Sequence, residues 1–293
     1  MKNKIIVIVG PTASGKTDLS IKIAERFSGE IISADSRQVY KGMDIGTGKV
    51  TKKEMQGIPH YLLDIVDPKT RFNVVRYRKL ALKAIEKIQK KNKLPILVGG
   101  TGFYIQAVID GIIIPEVRPD WKLRKKLDKK TAEQLFKQLN KLDPKRAKTI
   151  DKNNKRRLIR ALEIILKTKK PVPLLKQKPI DSDILLLGIK KENLKELIEK
   201  RLSKRLKTGM IAEVKRLKKQ GISWKRLQDF GLEYRYIAFF LQGKLTKQEM
   251  IEKLQKETEH YAKRQMIWFL RDKRIKWISS LKAALKAVEQ FLA

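Results

Sequence analysis

The sequence contains no cysteine, which excludes disulfides, zinc ribbons and thiol catalysis together. Histidine is nearly absent as well: His60 and His260 are the only two in 293 residues, too few for a multi-histidine metal site. No apolar run approaches the roughly 18 uninterrupted residues that a membrane helix requires, although 42% of residues are hydrophobic, so no membrane partner is expected. The run "IIVIVG" near the start is too short, and too soon followed by proline, to act as the apolar region of a signal peptide. A cytoplasmic location is therefore expected. Acids are scarce: 31 Asp and Glu stand against 69 Lys and Arg, a net charge of +38. Lysine filling solvated faces explains part of such an excess, and a polyanionic partner explains it where arginines cluster.

What the sequence has in quantity is alternation. Short β-branched runs at residues 5–9, 30–34, 61–66, 95–98 and 184–189 are separated by helical segments, which predicts an α/β fold, a mostly parallel sheet with helices on both faces. From Ile114 to about Asp181 the pattern changes to polar helical stretches, "WKLRKKLDKKTAEQLFKQL" and "NNKRRLIRALEIILKT", and then to the proline-broken "KKPVPLLKQKP". Residues 115–181 thus read as an inserted basic helical subdomain, and residues 1–114 and 182–293 as the core with a helical C-terminal part. In "NLKELIEKRLSKRL", Leu194, Leu197, Ile198, Leu202 and Leu206 share one stripe, expected to face the core and leave lysine and arginine outside. Further helices are expected at residues 231–242, 247–270 and 281–292, with a short strand at 275–278.

"GPTASGKT", residues 10–17, fits G-x-x-x-x-G-K-[ST] and lies between a hydrophobic strand and an amphipathic segment, the context this phosphate loop requires. The core is accordingly P-loop NTPase-like. Backbone N–H groups of residues 13–16 at a helix start would converge on an anion, Lys16 adds a point charge, and the Thr17 hydroxyl can hold Mg²⁺. A phosphoryl-transfer enzyme would add a strand-end acid for its metal; only "YLLDIVDP" supplies one, as Asp64 or Asp67, and "VDP" reads as a turn opener. "IISADSRQVY" puts Asp35, Ser36, Arg37 and Gln38 at the carboxyl end of the second strand, beside the same crevice. Asp35 can take a proton from a nucleophile or cap a turn, and Gln38 can read an adenine edge. "PILVGGTGFYIQAVIDG" brings a third strand end there, where Gly99, Gly100 and Gly102 permit close approach of a ligand or of packed backbone and Thr101 offers a hydroxyl.

In this order, "GPTASGKT", "DSRQVYKGMDIGTGK", "GIPHYLLDIVDP" and "PILVGGTGFYIQAVIDG" resemble the tRNA dimethylallyltransferases (the tRNA isopentenyltransferase family, bacterial type). "RRLIRALEI" and "YAKRQMIWF" are similar to that family's RNA-contacting segments, so the resemblance covers most of the chain. It implies transfer of a dimethylallyl group from dimethylallyl diphosphate to the N6 amine of the adenosine 3′ of the anticodon in tRNA, with release of diphosphate and Mg²⁺ as cofactor. By position, Gly10, Pro11, Thr12, Ala13, Ser14, Gly15, Lys16 and Thr17 would bind the donor's diphosphate together with Arg201, and Thr17 the metal. Asp35 would accept the proton, with Thr101 and Lys16 beside the reacting groups. Asp35, Ser36, Arg37, Gln38 and Thr101 would contact the flipped nucleotide. Arg124, Arg156, Arg157, Leu158, Ile159 and Arg160 in the insert, and His260, Tyr261, Ala262, Lys263, Arg264 and Gln265 near the end, would contact the tRNA anticodon stem-loop.

The chain departs from the family pattern at Tyr61, where many members have a second histidine, at Gly48, where many have alanine, and at Leu197, a frequent arginine. "FGLEYRYIAFF" replaces a glycine-tyrosine-arginine-glutamate pattern, so no role passes to Glu233 or Arg235. The zinc module of eukaryotic members has no counterpart. Tyr261, Trp268 and Phe269 read as core. A monomer is expected. Two other classes compete: a P-loop kinase using ATP on a small molecule, and an RNA-binding protein without activity.

Overall fold

Uninterrupted runs of isoleucine, valine and leucine make strands that must be covered on both faces, as in a parallel sheet between helices. The computed structural model describes residues 3–113, 115, 117–173 and 176–293. Its strands are β1 (Lys4–Val9), β2 (Gly29–Ser33), β3 (His60–Tyr61), β4 (Leu94–Gly99), β5 (Ile112–Ile113), β6 (Lys176–Gln177), β7 (Asp183–Ile189) and β8 (Lys276–Ile278). Six of them form one sheet in the order β3-β2-β4-β1-β7-β8, with every pairing parallel. Side chains alternate between the faces. Ile5, Val7 and Val9 pack with the helices Val74–Lys90 and Gly102–Ile109; Ile6 and Ile8 pack with the helices Lys16–Arg26 and Leu281–Leu292. The neighbours β1 and β4 therefore send their following helices to opposite faces, and ligands of open α/β sheets bind in the crevice outside the strand ends at such a switch point. The register Val9↔Gly99 brings Gly10 and Gly100 level at that crevice.

The run at residues 61–66 predicts a strand, but only His60–Tyr61 pairs with β2. Leu62 (φ 65°) and Asp64 (φ 53°) adopt left-handed conformations, and the N–H groups of Asp64, Ile65 and Val66 donate to the carbonyls of Gln38 and Val39 instead of to the sheet. Lys49 holds Asp64 at 2.5 Å and Asp44 at 2.6 Å. Asp67 accepts from the Lys69 N–H at 2.7 Å, so "VDP" does open a turn.

A second apolar cluster gathers Met43, Leu202, Val214, Phe230, Tyr234 and Leu254 from the segment after β2 and from the helices Leu194–Lys207, Met210–Lys219, Trp224–Phe230, Leu232–Leu241 and Lys247–Phe269. Ile198 and Leu202 are buried as their stripe predicts, but the expectation that the basic residues of Leu194–Lys207 all stay outside is wrong. Arg201 and Arg205 turn inward, to the carbonyls of Gly48 and Gly46. The inner face of this helix meets backbone oxygens as well as apolar side chains, and those acceptors need donors.

The chain divides into two compact units, residues 1–111 with 179–293, and residues 112–178. The composition change suggests 115–181, but Ile112 and Ile113 pair antiparallel with Gln177 and Lys176 and belong to the second unit. Ile114, at the composition boundary, and Leu174 and Leu175, in the proline-broken stretch, lie outside the described residues. In the second unit the helices Trp121–Asp128, Ala132–Leu142, Pro144–Thr149 and Lys155–Thr168 surround Leu127, Leu135, Leu139, Leu158 and Leu162. Thr131 interrupts "WKLRKKLDKKTAEQLFKQL" by capping a new helix reciprocally with Gln134. Glu163 is fully buried in this unit and accepts from both Nε and Nη2 of Arg124 at 2.8 and 2.7 Å, from Arg160 at 2.5 Å and from the Asp120 N–H at 2.7 Å. Burial alone would raise its pKa; the bonds from Arg124, Asp120 and Arg160 outweigh it and hold the carboxyl at about 2. Among the described residues no helix is long and apolar enough to cross a membrane.

Candidate active site

The turn after β1 can only be glycine: Gly10 has φ +151°, and a Cβ there would stand 2.7 Å from the Ile189 carbonyl oxygen. Ala13 (φ 63°) and Gly15 (φ 89°) then curl the chain into the helix Lys16–Arg26. No side chain caps that helix, so its first N–H groups remain available to an anion. Lys16 folds back over the loop, with Nζ 2.5 Å from the Pro11 carbonyl oxygen and 3.5 Å from Ser14 Oγ. Burial first, and then the nearby Arg201 charge, lower its pKa to about 7, against the opposing pull of Asp35. The Thr17 hydroxyl makes no hydrogen bond among the described residues.

Lys16, Thr17, Asp35, Gln38, Arg201 and Tyr261 line one cleft at the strand ends, the place where open α/β sheets bind ligands. Asp35 divides its two oxygens. Oδ1 accepts from the N–H groups of Arg37 at 2.7 Å and Gln38 at 3.2 Å, while Oδ2 makes no hydrogen bond among the described residues. Turn cap and proton acceptor are thus compatible in one side chain. Thr101 Oγ1 accepts from the Ser36 N–H at 3.3 Å, tying the ends of the second and fourth strands together beside the crevice. Tyr261 lines the cleft instead of lying in the core as its pattern suggests; burial raises its pKa. Phe269 is core, with Trp268 packed partly buried against the same cluster.

Gln38 uses its amide within the protein, accepting from Ser33 Oγ at 3.0 Å and donating to the Gly48 carbonyl at 3.2 Å. Arg37 donates Nε to the Phe230 carbonyl at 2.6 Å. Gln265 clamps two loops: Oε1 accepts from the Thr12 N–H at 2.8 Å and Nε2 donates to the Gly100 carbonyl at 2.9 Å. Because both partners are backbone groups, Gln265→Leu should cost about 1–3 kcal/mol, read as a lower thermal midpoint that bound diphosphate partly restores. An unchanged midpoint with and without diphosphate would remove the clamp. His60 also borders the cleft, and burial lowers its pKa.

Arg201 reaches Thr12 Oγ1 at 3.3 Å and the Gly48 carbonyl at 3.4 Å, so the guanidinium stands directly beside the phosphate loop. Burial and the adjacent Arg205 lower its pKa to about 10. Arg205 is matched by Glu233 at 3.0 Å, and Arg235 donates to the Gln228 carbonyl at 3.1 Å. Glu213, absent from the sequence-predicted site, accepts from three successive backbone N–H groups of residues 44–46. Its only signal in the sequence is an acid on an apolar stripe, beside Met210, Val214 and Leu217. Asp64 and Asp67 do not line the cleft.

The other sequence-predicted residues divide by exposure. Arg156, Arg157, Lys263 and Arg264 are exposed. Leu158 and Ile159 belong to the core of the second unit and Ala262 is buried. The Arg124 and Arg160 guanidiniums are engaged by Glu163, and His260 pairs with Glu257 at 3.3 Å.

A glycine loop carrying a lysine and an aspartate with an uncommitted oxygen line one crevice at the switch point of a parallel sheet, which defines an α/β protein of the kind that binds ligands at its strand ends. Comparison with known proteins narrows this class. The IPP transferase family matches residues 38–273, and the chain belongs to that family. It is 43% identical to the tRNA dimethylallyltransferase of Acetivibrio thermocellus, over 94% of this chain and 92% of that one. Among solved structures it is similar to the full-length tRNA isopentenylpyrophosphate transferase of Bacillus halodurans, with a TM-score of 0.73, 37% identity and coverage of 99% and 96%. It is also similar to a eukaryotic dimethylallyltransferase acting on tRNA, with a TM-score of 0.79, 30% identity and coverage of 99% and 78%.

Proposed function

We propose that the protein transfers a dimethylallyl group from dimethylallyl diphosphate to the N6 amine of the adenosine 3′ of the anticodon in tRNA. The observation that carries this reading is Asp35: it lines the same cleft as Lys16 and Thr17, and its Oδ2 makes no hydrogen bond among the described residues. In the reaction the N6–C1 bond forms as the C1–O bond to diphosphate breaks, and the N6 proton passes to Asp35. An exocyclic amine conjugated into its ring is a weak nucleophile, so alignment and stabilisation of the leaving group supply the rate. The phosphate-loop N–H groups, Lys16 and Arg201 receive the charge that develops on diphosphate. The hydroxyl of Thr101 would stand beside the reacting groups.

The donor set suits Mg²⁺. Among the described residues no cluster of three or more His, Cys, Asp or Glu exists to cage a metal, but Mg²⁺ commonly takes one or two protein oxygens and completes its shell with substrate phosphates and water. Thr17 would hold it, and the ion would supply charge neutralisation at the leaving diphosphate.

Turning a loop nucleotide out costs roughly a few kcal/mol, which contacts to RNA phosphates offset. The exposed Arg156, Arg157, Lys263 and Arg264 suit that role. Leu158, Ile159 and Ala262 would contribute by shaping the helices that carry these cations. A location in the cytoplasm agrees with a tRNA substrate, and a monomer is our reading of the oligomeric state. The names of the relatives favour alkyl transfer over a small-molecule kinase. The test is incubation with dimethylallyl diphosphate, Mg²⁺ and unmodified tRNA: the adenosine 3′ of the anticodon should gain the mass of one dimethylallyl group. Phosphate release from ATP, without any gain on a verified substrate tRNA, would overturn the reading.

A further inference from the structure

Glu213 is only 1% exposed, yet each of its bonds is received from a donor. Oε2 accepts from the N–H groups of Asp44 at 2.8 Å and Ile45 at 2.7 Å; Oε1 accepts from the Gly46 N–H at 3.0 Å and the Tyr234 hydroxyl at 2.7 Å. Four donors thus meet the four lone-pair positions of a carboxylate. The turn so gathered closes on itself, Gly48 N–H to Ile45 carbonyl at 3.1 Å and Lys49 N–H to Asp44 carbonyl at 2.9 Å. It then presents two carbonyls to arginines, Gly46 to Arg205 and Gly48 to Arg201, both at 3.4 Å.

The two arginines are not equivalent. Arg205 has the carboxylate of Glu233. Arg201 forms no ion pair among the described residues; its hydrogen bonds go to two neutral oxygens, the Gly48 carbonyl and the Thr12 hydroxyl. A largely desolvated guanidinium with a like charge beside it and no anion of its own is stabilised when an anion arrives at the phosphate loop. Its placement beforehand depends on the turn that supplies the Gly48 carbonyl. Both guanidiniums pack closely on this turn: a Cβ on Gly48 would stand 1.7 Å from Arg205 Nη2 and 2.2 Å from Arg201 Nη2.

We propose that Glu213 is a positioning residue for diphosphate binding, acting through the turn at residues 44–48 to hold Arg201 at the phosphate loop. This rests on the reading that the cleft receives the diphosphate of the donor. Glu213→Gln would set an amide donor against backbone donors at the same spacing, leaving at least one N–H unsatisfied and loosening the turn.

Pyrophosphate binding in the presence of Mg²⁺ decides the matter when measured by calorimetry on the wild type, E213Q, R201A and the double variant. E213Q should weaken binding about tenfold in the wild-type background and less than about twofold in the R201A background, since a residue acting through Arg201 has nothing left to position. Equal losses in both backgrounds, or no loss in either, would overturn the proposal. Should E213Q fail to fold, Tyr234→Phe removes one donor from the same carboxylate. A loss of about threefold that vanishes in R201A supports the role, and a loss independent of R201A refutes it. Prenyl transfer by the wild type is assayed in parallel: absent transfer with intact, Arg201-dependent pyrophosphate binding would sink the donor assignment while supporting the positioning role.

Discussion

Asp35→Asn is expected to lower single-turnover prenyl transfer by about 10²- to 10⁴-fold, the usual contribution of a positioned general base, while the thermal midpoint stays near that of the wild type. The split comes from the geometry. The amide carbonyl of asparagine can still accept from the Arg37 and Gln38 N–H groups, as Asp35 Oδ1 does at 2.7 and 3.2 Å, but its second atom cannot take a proton. Asp35→Ala should lose transfer to the same extent and stability in addition, by about 0.5–2 kcal/mol for the missing cap. Binding of tRNA should remain largely intact in both. Near wild-type transfer by Asp35→Asn would show that the aspartate is a cap alone; loss of tRNA binding would move it from proton transfer to recognition.

Lys16→Met should lower transfer by about 10²- to 10³-fold, the scale on which removal of one preorganised charge-stabilising group acts. The wild type should also show a pH dependence that the variant lacks. The Lys16 pKa falls to about 7 in the folded chain because burial and Arg201 disfavour the ammonium, against about 10.4 when unfolded. Between these values the unfolded chain binds more protons at this site than the folded one, so its contribution to stability rises with pH across that window. The free protein should gain stability from pH 7 toward pH 10 relative to Lys16→Met. Diphosphate reverses the preference by adding negative charge beside the ammonium, so binding near pH 8 should take up a proton, and affinity should weaken as pH rises above about 7. Calorimetry in two buffers of different ionisation enthalpy reads the uptake directly. Equal proton counts for wild type and variant would rule out Lys16 as the titrating group.

Much of this site is legible in linear order, because its parts are backbone devices at strand ends. The loop at residues 10–17 needs glycine at Gly10 for steric reasons alone, and a strand before it with a helix after it suffices to aim N–H groups at an anion. Asp35 and Thr101 follow from the rule that parallel strands bring their carboxyl ends to one edge. Arg205 and Glu213 are different. The periodicity of Leu194–Lys207 sorts apolar from basic residues correctly at Ile198 and Leu202, yet it cannot show that the opposing surface is a turn presenting backbone carbonyls to Arg201 and Arg205. The run at residues 61–66 carries strand composition, but left-handed residues at Leu62 and Asp64 take it out of the sheet.

By itself the sequence determined the alternation of the main strands with helices, the glycine loop after the first strand and the residues at the neighbouring strand ends, since these depend on local backbone geometry and on side-chain alternation. The tertiary structure alone decided which polar groups meet. Gln265 reaches Thr12 across 253 residues, Glu213 reaches the turn at residues 44–46 across 167 to 169, and Glu163 takes Arg124 and Arg160 of the insert. Buried hydrogen-bonding groups must find partners wherever packing brings them, and separation along the chain carries no record of that choice.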